Sequence, residues 1–126
     1  MTNKTIDVLD FTQKFGLPIS DVIAYPTSDR MNLIAEEFDE ILIANARGDL
    51  AGVLDGLVDL VYVCIGTAIQ ANLPFDKAWA LVHAANMLKE RADPKPNDLT
   101  HQGVIKPEGW VSPDIERLIR DAIDKR

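Results

Sequence analysis

The feature that most restricts this chain is the run from about Leu50 to Ala71. It is apolar nearly all the way round, yet it carries two acids, Asp55 and Asp59, one helical turn apart. Gly52, Gly56 and Gly66 interrupt the run without breaking it, at about 1 kcal/mol each relative to alanine. A helix apolar on most faces has to be buried against other elements. A membrane span is the poorer reading. Each aspartate would cost about 2.5–3.5 kcal/mol at a bilayer centre, and the uncharged stretch after Asp59 is too short to cross. The run predicts a core or interface helix with two carboxylates on one face.

The flanking sequence supplies further helices. Ile6, Val8, Leu9, Phe11 and Phe15 give an apolar stripe over Thr5–Phe15, stopped by Gly16 and Pro18. A second helix is expected from about Arg30 to Arg47, with Ser28 or Asp29 as its cap and Met31, Leu33, Ile34, Phe38, Ile41 and Leu42 on its apolar face. Gly48 ends it and Asp49 caps the long apolar helix. Leu73-Pro74-Phe75-Asp76 opens a fourth helix running to about Arg91. Residues Ala92–Ser112, with charged clusters around Pro94 and Lys106, read as an ordered loop or a flexible arm and not as a strand pair. Pro113–Asp124 is a short last helix capped by Ser112. No strand is expected. The class is all-α: an antiparallel bundle of four main helices and a short C-terminal one, forming a single domain over residues 1–126.

Twenty acidic and thirteen basic side chains leave a formal charge of -7. There is no basic stripe of the kind nucleic-acid binders show. One cysteine, Cys64, permits no internal disulfide, and no targeting pattern opens the chain. A cytoplasmic protein is expected, with neither nucleic acid nor membrane among its partners.

An acidic excess can mean solubility, or carboxylates gathered to hold cations that in turn hold phosphates. The second helix contains Glu36-Glu37-Phe38-Asp39-Glu40, in which Glu36 and Glu37 each share a face with Glu40. Alone, that cluster is a solvated acidic face. Asp55 and Asp59 shift the balance, because carboxylates buried in an apolar helix need cationic partners or a metal. Arg30, Arg47, Lys77, Lys89 and Arg91 could serve as partners. A divalent cation facing both clusters satisfies them more simply, and hard oxygen ligands suit Mg²⁺ or Mn²⁺. Other metal chemistries fail on composition. Neither His83 nor His101 has a Glu three residues before it, as di-iron bundles require. One cysteine and two histidines make no zinc set. No P-loop is present. His83 reads as a packed or surface residue, and Trp79 and Trp110 as packing residues.

Glu36-Glu37-x-x-Glu40, followed on the next helix by acids ending at Asp59, resembles the MazG-like all-α nucleotide pyrophosphohydrolases. That superfamily includes phosphoribosyl-ATP pyrophosphohydrolase and dimeric dUTPase-type relatives. The stretch from Asp55 through Tyr62 to Gly66 looks like its third-helix region. His83-Ala-Ala-Asn86-Met-Leu-Lys89 and Lys106-Pro-Glu-Gly-Trp110 look like its small phosphoribosyl-ATP-pyrophosphohydrolase-like members. The usual second motif, Glu-x-x-Asp, would place a glutamate at Gly56; here Asp55 stands one residue earlier.

The resemblance implies that Glu37, Glu40 and Asp59 hold Mg²⁺, with Asp55 substituting for the missing glutamate. It implies that Glu36 orients or deprotonates the attacking water, and that Asn86, Lys89 and Lys106 contact the nucleotide. It also implies a bundle completed by oligomerisation, as a homodimer or homotetramer. The expected activity is cleavage of a nucleoside triphosphate to a monophosphate and pyrophosphate. The alternatives are hydrolysis of phosphoribosyl-ATP and a catalytically idle nucleotide-binding oligomer.

Overall fold

The structure, a computed structural model, describes residues 2–91 and 103–125. Its elements are α1 (Asn3–Lys14), α2 (Ser28–Ala46), α3 (Leu50–Gln70), α4 (Phe75–Met87), β1 (Glu90–Arg91), β2 (Val104–Ile105) and α5 (Ile115–Asp124). The fold is all-α, as the apolar periodicity predicts. The chain divides into two compact units, Met1–Asp76 and Lys77–Arg126.

In the first unit α2 packs along α3, and α1 lies on α3. The α2–α3 turn is tight because Gly48 adopts a left-handed φ of 69°. The Asp49 carboxylate then accepts from the Gly52 amide and caps α3, so the two helices run antiparallel. The cap of α2 is Thr27, one residue before the expected Ser28, and its hydroxyl accepts from the Arg30 amide. Val8, Ala44, Ile65, Ala68 and Ala71 are buried, together with Thr5, Thr12 and Thr67. Two of the threonine hydroxyls are satisfied locally: Thr12 donates to the Val8 carbonyl at 2.8 Å and Thr67 to that of Val63 at 2.7 Å.

Asp76, expected only to open α4, also ties down the start of α1. It accepts from the Thr5 hydroxyl at 2.6 Å and from the Thr2 amide at 3.0 Å. Thr2 itself caps α1 by accepting from the Thr5 amide.

By length and composition α3 could cross a membrane. The expectation that it is buried on most faces is not met among the described residues. Its buried strip is Gly56 and Ile65–Ala68, whereas Leu50, Leu54, Leu57, Val58 and Val61 stay exposed along one face.

In the second unit, β1 and β2 form an antiparallel ladder pairing Glu90 with Ile105 and Arg91 with Val104. This corrects the expectation of no strand and of no strand pair after the fourth helix. A two-residue ladder is too short to show period-two alternation, so periodicity could not reveal it. For the same reason α4 ends at Met87 and not near Arg91: the Leu88 and Lys89 amides turn back to the Ala85 and Asn86 carbonyls, and the chain then becomes extended. Residues 92–102 of the expected loop or arm, His101 included, lie outside the described residues. The cap of α5 is Asp114, which accepts from the Arg117 amide, and not Ser112.

Candidate metal centre

The antiparallel α2–α3 pair brings the two acid motifs to one seam, and Glu37 is at its centre. Burial pushes the Glu37 carboxyl above its ordinary value. The charges of Glu40 and Asp59, a hydrogen bond with Glu40, and the charge of Asp55 all act in the same direction. Its Oε2 is buried and has no hydrogen-bond partner. A carboxylate oxygen in that position is costly unless a cation or proton meets it.

Glu40, Asp59 and Asp55 act on Glu37 without forming a closed cluster with it. Among the described residues, no three or more His, Cys, Asp or Glu side chains are grouped as a formed metal site. Like charges about 4 Å apart repel by roughly 4 kcal/mol at an effective dielectric near 20. Without a cation between them, such carboxylates favour separation. The donor set is all hard oxygen, and together with the orphaned Glu37 oxygen it fits Mg²⁺ or Mn²⁺.

The individual positions differ from expectation in two respects. Asp59 is half-buried, but Asp55 is exposed, so the argument that burial forces a partner on Asp55 does not hold. What remains for Asp55 is its electrostatic reach to Glu37. Glu36 is exposed and is not among the charges acting on Glu37. Among the described residues, neither aspartate forms an ion pair with any of the candidate cations.

Gly56, where related sequences are expected to carry the glutamate, faces the α2 backbone. A Cβ there would come within 2.7 Å of Ile41 Cγ1. This glycine is a packing residue of the helix pair, and an acid at 56 would point into Ile41.

Asn86, Lys89 and Lys106 belong to the second unit. There the ammonium groups of Lys89 and Lys106 lie 5.3 and 5.0 Å from the ring centroid of Trp110. The indole is fixed by donating Nε1–H to the Ala85 carbonyl at 2.7 Å. Asn86 and Lys89 line a hollow of about 420 Å³ with Arg91 and Gly103. His83 is exposed.

Arg30, a candidate partner for the aspartates, is seated elsewhere on the α2–α3 seam. Arg30 lies seven residues before Glu37, and so on the same helical face. Its guanidinium rests on α3, over Gly66. That spacing was the available signal.

No curated protein matches the chain. The sequence profile of the family described as Phosphoribosyl-ATP pyrophosphohydrolase matches residues 10–86, more than half of the chain. The matched stretch contains α2 and α3 whole, with every acid of the seam. The chain therefore belongs to the phosphoribosyl-ATP pyrophosphohydrolase family and is an enzyme of the nucleotide pyrophosphohydrolase type.

Proposed function

We propose that the protein is a Mg²⁺-dependent hydrolase that cleaves a nucleoside triphosphate to the monophosphate and pyrophosphate, with Mn²⁺ able to substitute. The observation that carries this reading is the unpartnered, buried Glu37 oxygen facing the charges of Glu40, Asp59 and Asp55. Glu37, Glu40 and Asp59 would hold the cation, and Asp55 would complete the set. When bound, the metal neutralises phosphate charge and lowers the pKa of a bound water.

The remaining work falls to side chains of the chain itself. Glu36, exposed beside the cluster, would orient the attacking water and accept its proton. Asn86, Lys89 and Lys106 would contact the nucleotide, the lysines acting as point charges on phosphate. The exposed face of Leu50, Leu54, Leu57, Val58 and Val61 supports assembly with a second copy. It continues into an apolar groove of about 450 Å³ whose walls include Val8 and Tyr62.

A second reading, hydrolysis of phosphoribosyl-ATP, is favoured by the family's own description. One substrate panel tests both: canonical and altered nucleoside triphosphates and phosphoribosyl-ATP, each with Mg²⁺, Mn²⁺ or chelator. Metal-dependent release of pyrophosphate from at least one substrate is expected. Silence across the panel, with nucleotide still binding, would leave an idle binder.

A further inference from the structure

Outside the acid cluster, the second unit gathers cations in a chain whose formal charge is -7. The β1–β2 register pairs Glu90 with Ile105 and Arg91 with Val104. Continued by one residue, it sets Lys89 opposite Lys106, on one face of the ribbon. Side chains alternate along a strand, so Arg91 shares that face and Glu90 takes the other. Like charges directly opposite one another destabilise a ribbon. Among the described residues, neither lysine has a carboxylate within ion-pair distance.

Trp110, expected as a packing residue, is what the two ammonium groups share. Each lies about 5 Å from its ring centroid, at 5.3 Å for Lys89 and 5.0 Å for Lys106, within cation–π range. The ring is fixed from two directions. Gly109 adopts a left-handed φ of 80° and the Trp110 amide donates to the Pro107 carbonyl at 3.0 Å, which turns the chain back after β2. The indole Nε1–H donates at 2.7 Å to the carbonyl of Ala85, a buried residue of α4. Packing alone does not call for two like charges against one ring.

Attraction to a π face holds an ammonium without cancelling its charge or using its three N–H donors. Lys89 also lines the hollow of about 420 Å³ with Asn86 and Arg91, and Glu90 is the only acid among the described residues of that lining. A lysine meets phosphate as a point charge. Two such charges at one ring, with a guanidinium on the same face, suit an anion that carries more than one phosphoryl group. A single carboxylate would leave one ammonium unmatched.

We propose that Trp110 is a positioning residue, which holds the Lys89 and Lys106 ammonium groups together as a clamp for one polyphosphate anion. Resting on the nucleotide reading above, that anion is the phosphate chain of the substrate.

The test is calorimetric titration of pyrophosphate into the intact, metal-free protein, in which the acid seam repels the anion. Saturable binding is expected. Trp110→Phe and Trp110→Leu both lose the Nε1–H bond, but only phenylalanine keeps a π face. Trp110→Leu should weaken binding about tenfold, while Trp110→Phe should stay within about threefold of wild type. In the wild-type protein, the side-chain proton signals of Lys89 and Lys106, shifted by the ring, should move as pyrophosphate is added. That readout holds even if neither variant folds. Absence of binding, phenylalanine and leucine variants that behave alike, or lysine signals that pyrophosphate leaves in place would overturn the proposal. The two readings fail separately. Nucleotide turnover without pyrophosphate binding sinks the clamp, and the converse sinks the hydrolase.

Discussion

Gly56 of α3 lies against Ile41 of α2 so closely that a Cβ at position 56 would stand 2.7 Å from Ile41 Cγ1. The atom it meets is a methylene next to the branch point of Ile41 and not a flexible tip. Installing the glutamate expected at this position should therefore overpack the seam. Gly56→Glu is predicted to lose about 1–3 kcal/mol in urea unfolding, and it should not restore turnover to an Asp55→Asn protein. Undiminished stability, or rescue, would show that the helix pair can open to admit an acid.

The same seam ranks its acids. Asp59 is half-buried and Asp55 exposed, yet both act on Glu37. Glu40→Gln and Asp59→Asn should reduce metal-dependent turnover by more than the roughly 10–100-fold typical of residues that only support metal ligands. Asp55→Asn should cost less than Asp59→Asn, because Asp55 has the weakest of the three charges acting on Glu37. Steady-state kinetics across a Mg²⁺ titration will read this, and equal losses at 55 and 59 would refute the ranking.

Much of this arrangement is legible in the sequence, for identifiable reasons. Acids at positions 36, 37, 40, 55 and 59 can be phased on two helices because 3.6-residue periodicity is strong over long segments. Asp49 was expected as a cap because it follows a glycine stop and precedes an apolar run. The exposure of Asp55 was not legible, because a helix apolar all round does not say which face the chain itself covers. Nor was the seating of Arg30, whose partners, a backbone carbonyl and a threonine hydroxyl, leave no signature in composition. Thr27, Ser28 and Asp29 can each cap a helix, so the choice of Thr27 depends on backbone geometry alone.

At the start of α1, acid should unpick the Asp76 contacts. The Thr5 hydroxyl, more than burial opposes it, holds the Asp76 carboxyl below its ordinary value of 3.8, and the Thr2 amide adds to this. A depressed folded pKa gives stability that is fully present above the unfolded value and is lost as pH falls through the folded one. The stability advantage of wild type over Asp76→Asn should thus be constant at neutral pH and shrink below about pH 4. Thr5→Val should cost about 1 kcal/mol at neutral pH. Thermal unfolding from pH 7 to 2.5 checks both, and an advantage that persists to the lowest pH would contradict them.

Glu37 has the opposite sign. Its carboxyl is raised above 4.5, first by burial and then by the surrounding acids. The folded state therefore holds its proton more tightly than the unfolded chain does, and metal-free stability should fall as pH rises through the raised value. Glu37→Gln should flatten that part of the profile without lowering metal-free stability at neutral pH. Added Mg²⁺ should stabilise wild type at neutral pH and have less effect on the variant. A metal-free profile identical in the two proteins would show that Glu37 is not the strained member of the cluster.

The most direct test of the central claim is phosphorus NMR of a nucleoside triphosphate incubated with the wild-type protein and with Asp59→Asn. With Mg²⁺ and wild type, monophosphate and pyrophosphate should appear in equal amounts. Neither should appear with chelator, and Asp59→Asn should yield almost none. Release of orthophosphate and diphosphate, or turnover that ignores both chelator and the loss of Asp59, would contradict a pyrophosphohydrolase built on the α2–α3 carboxylates.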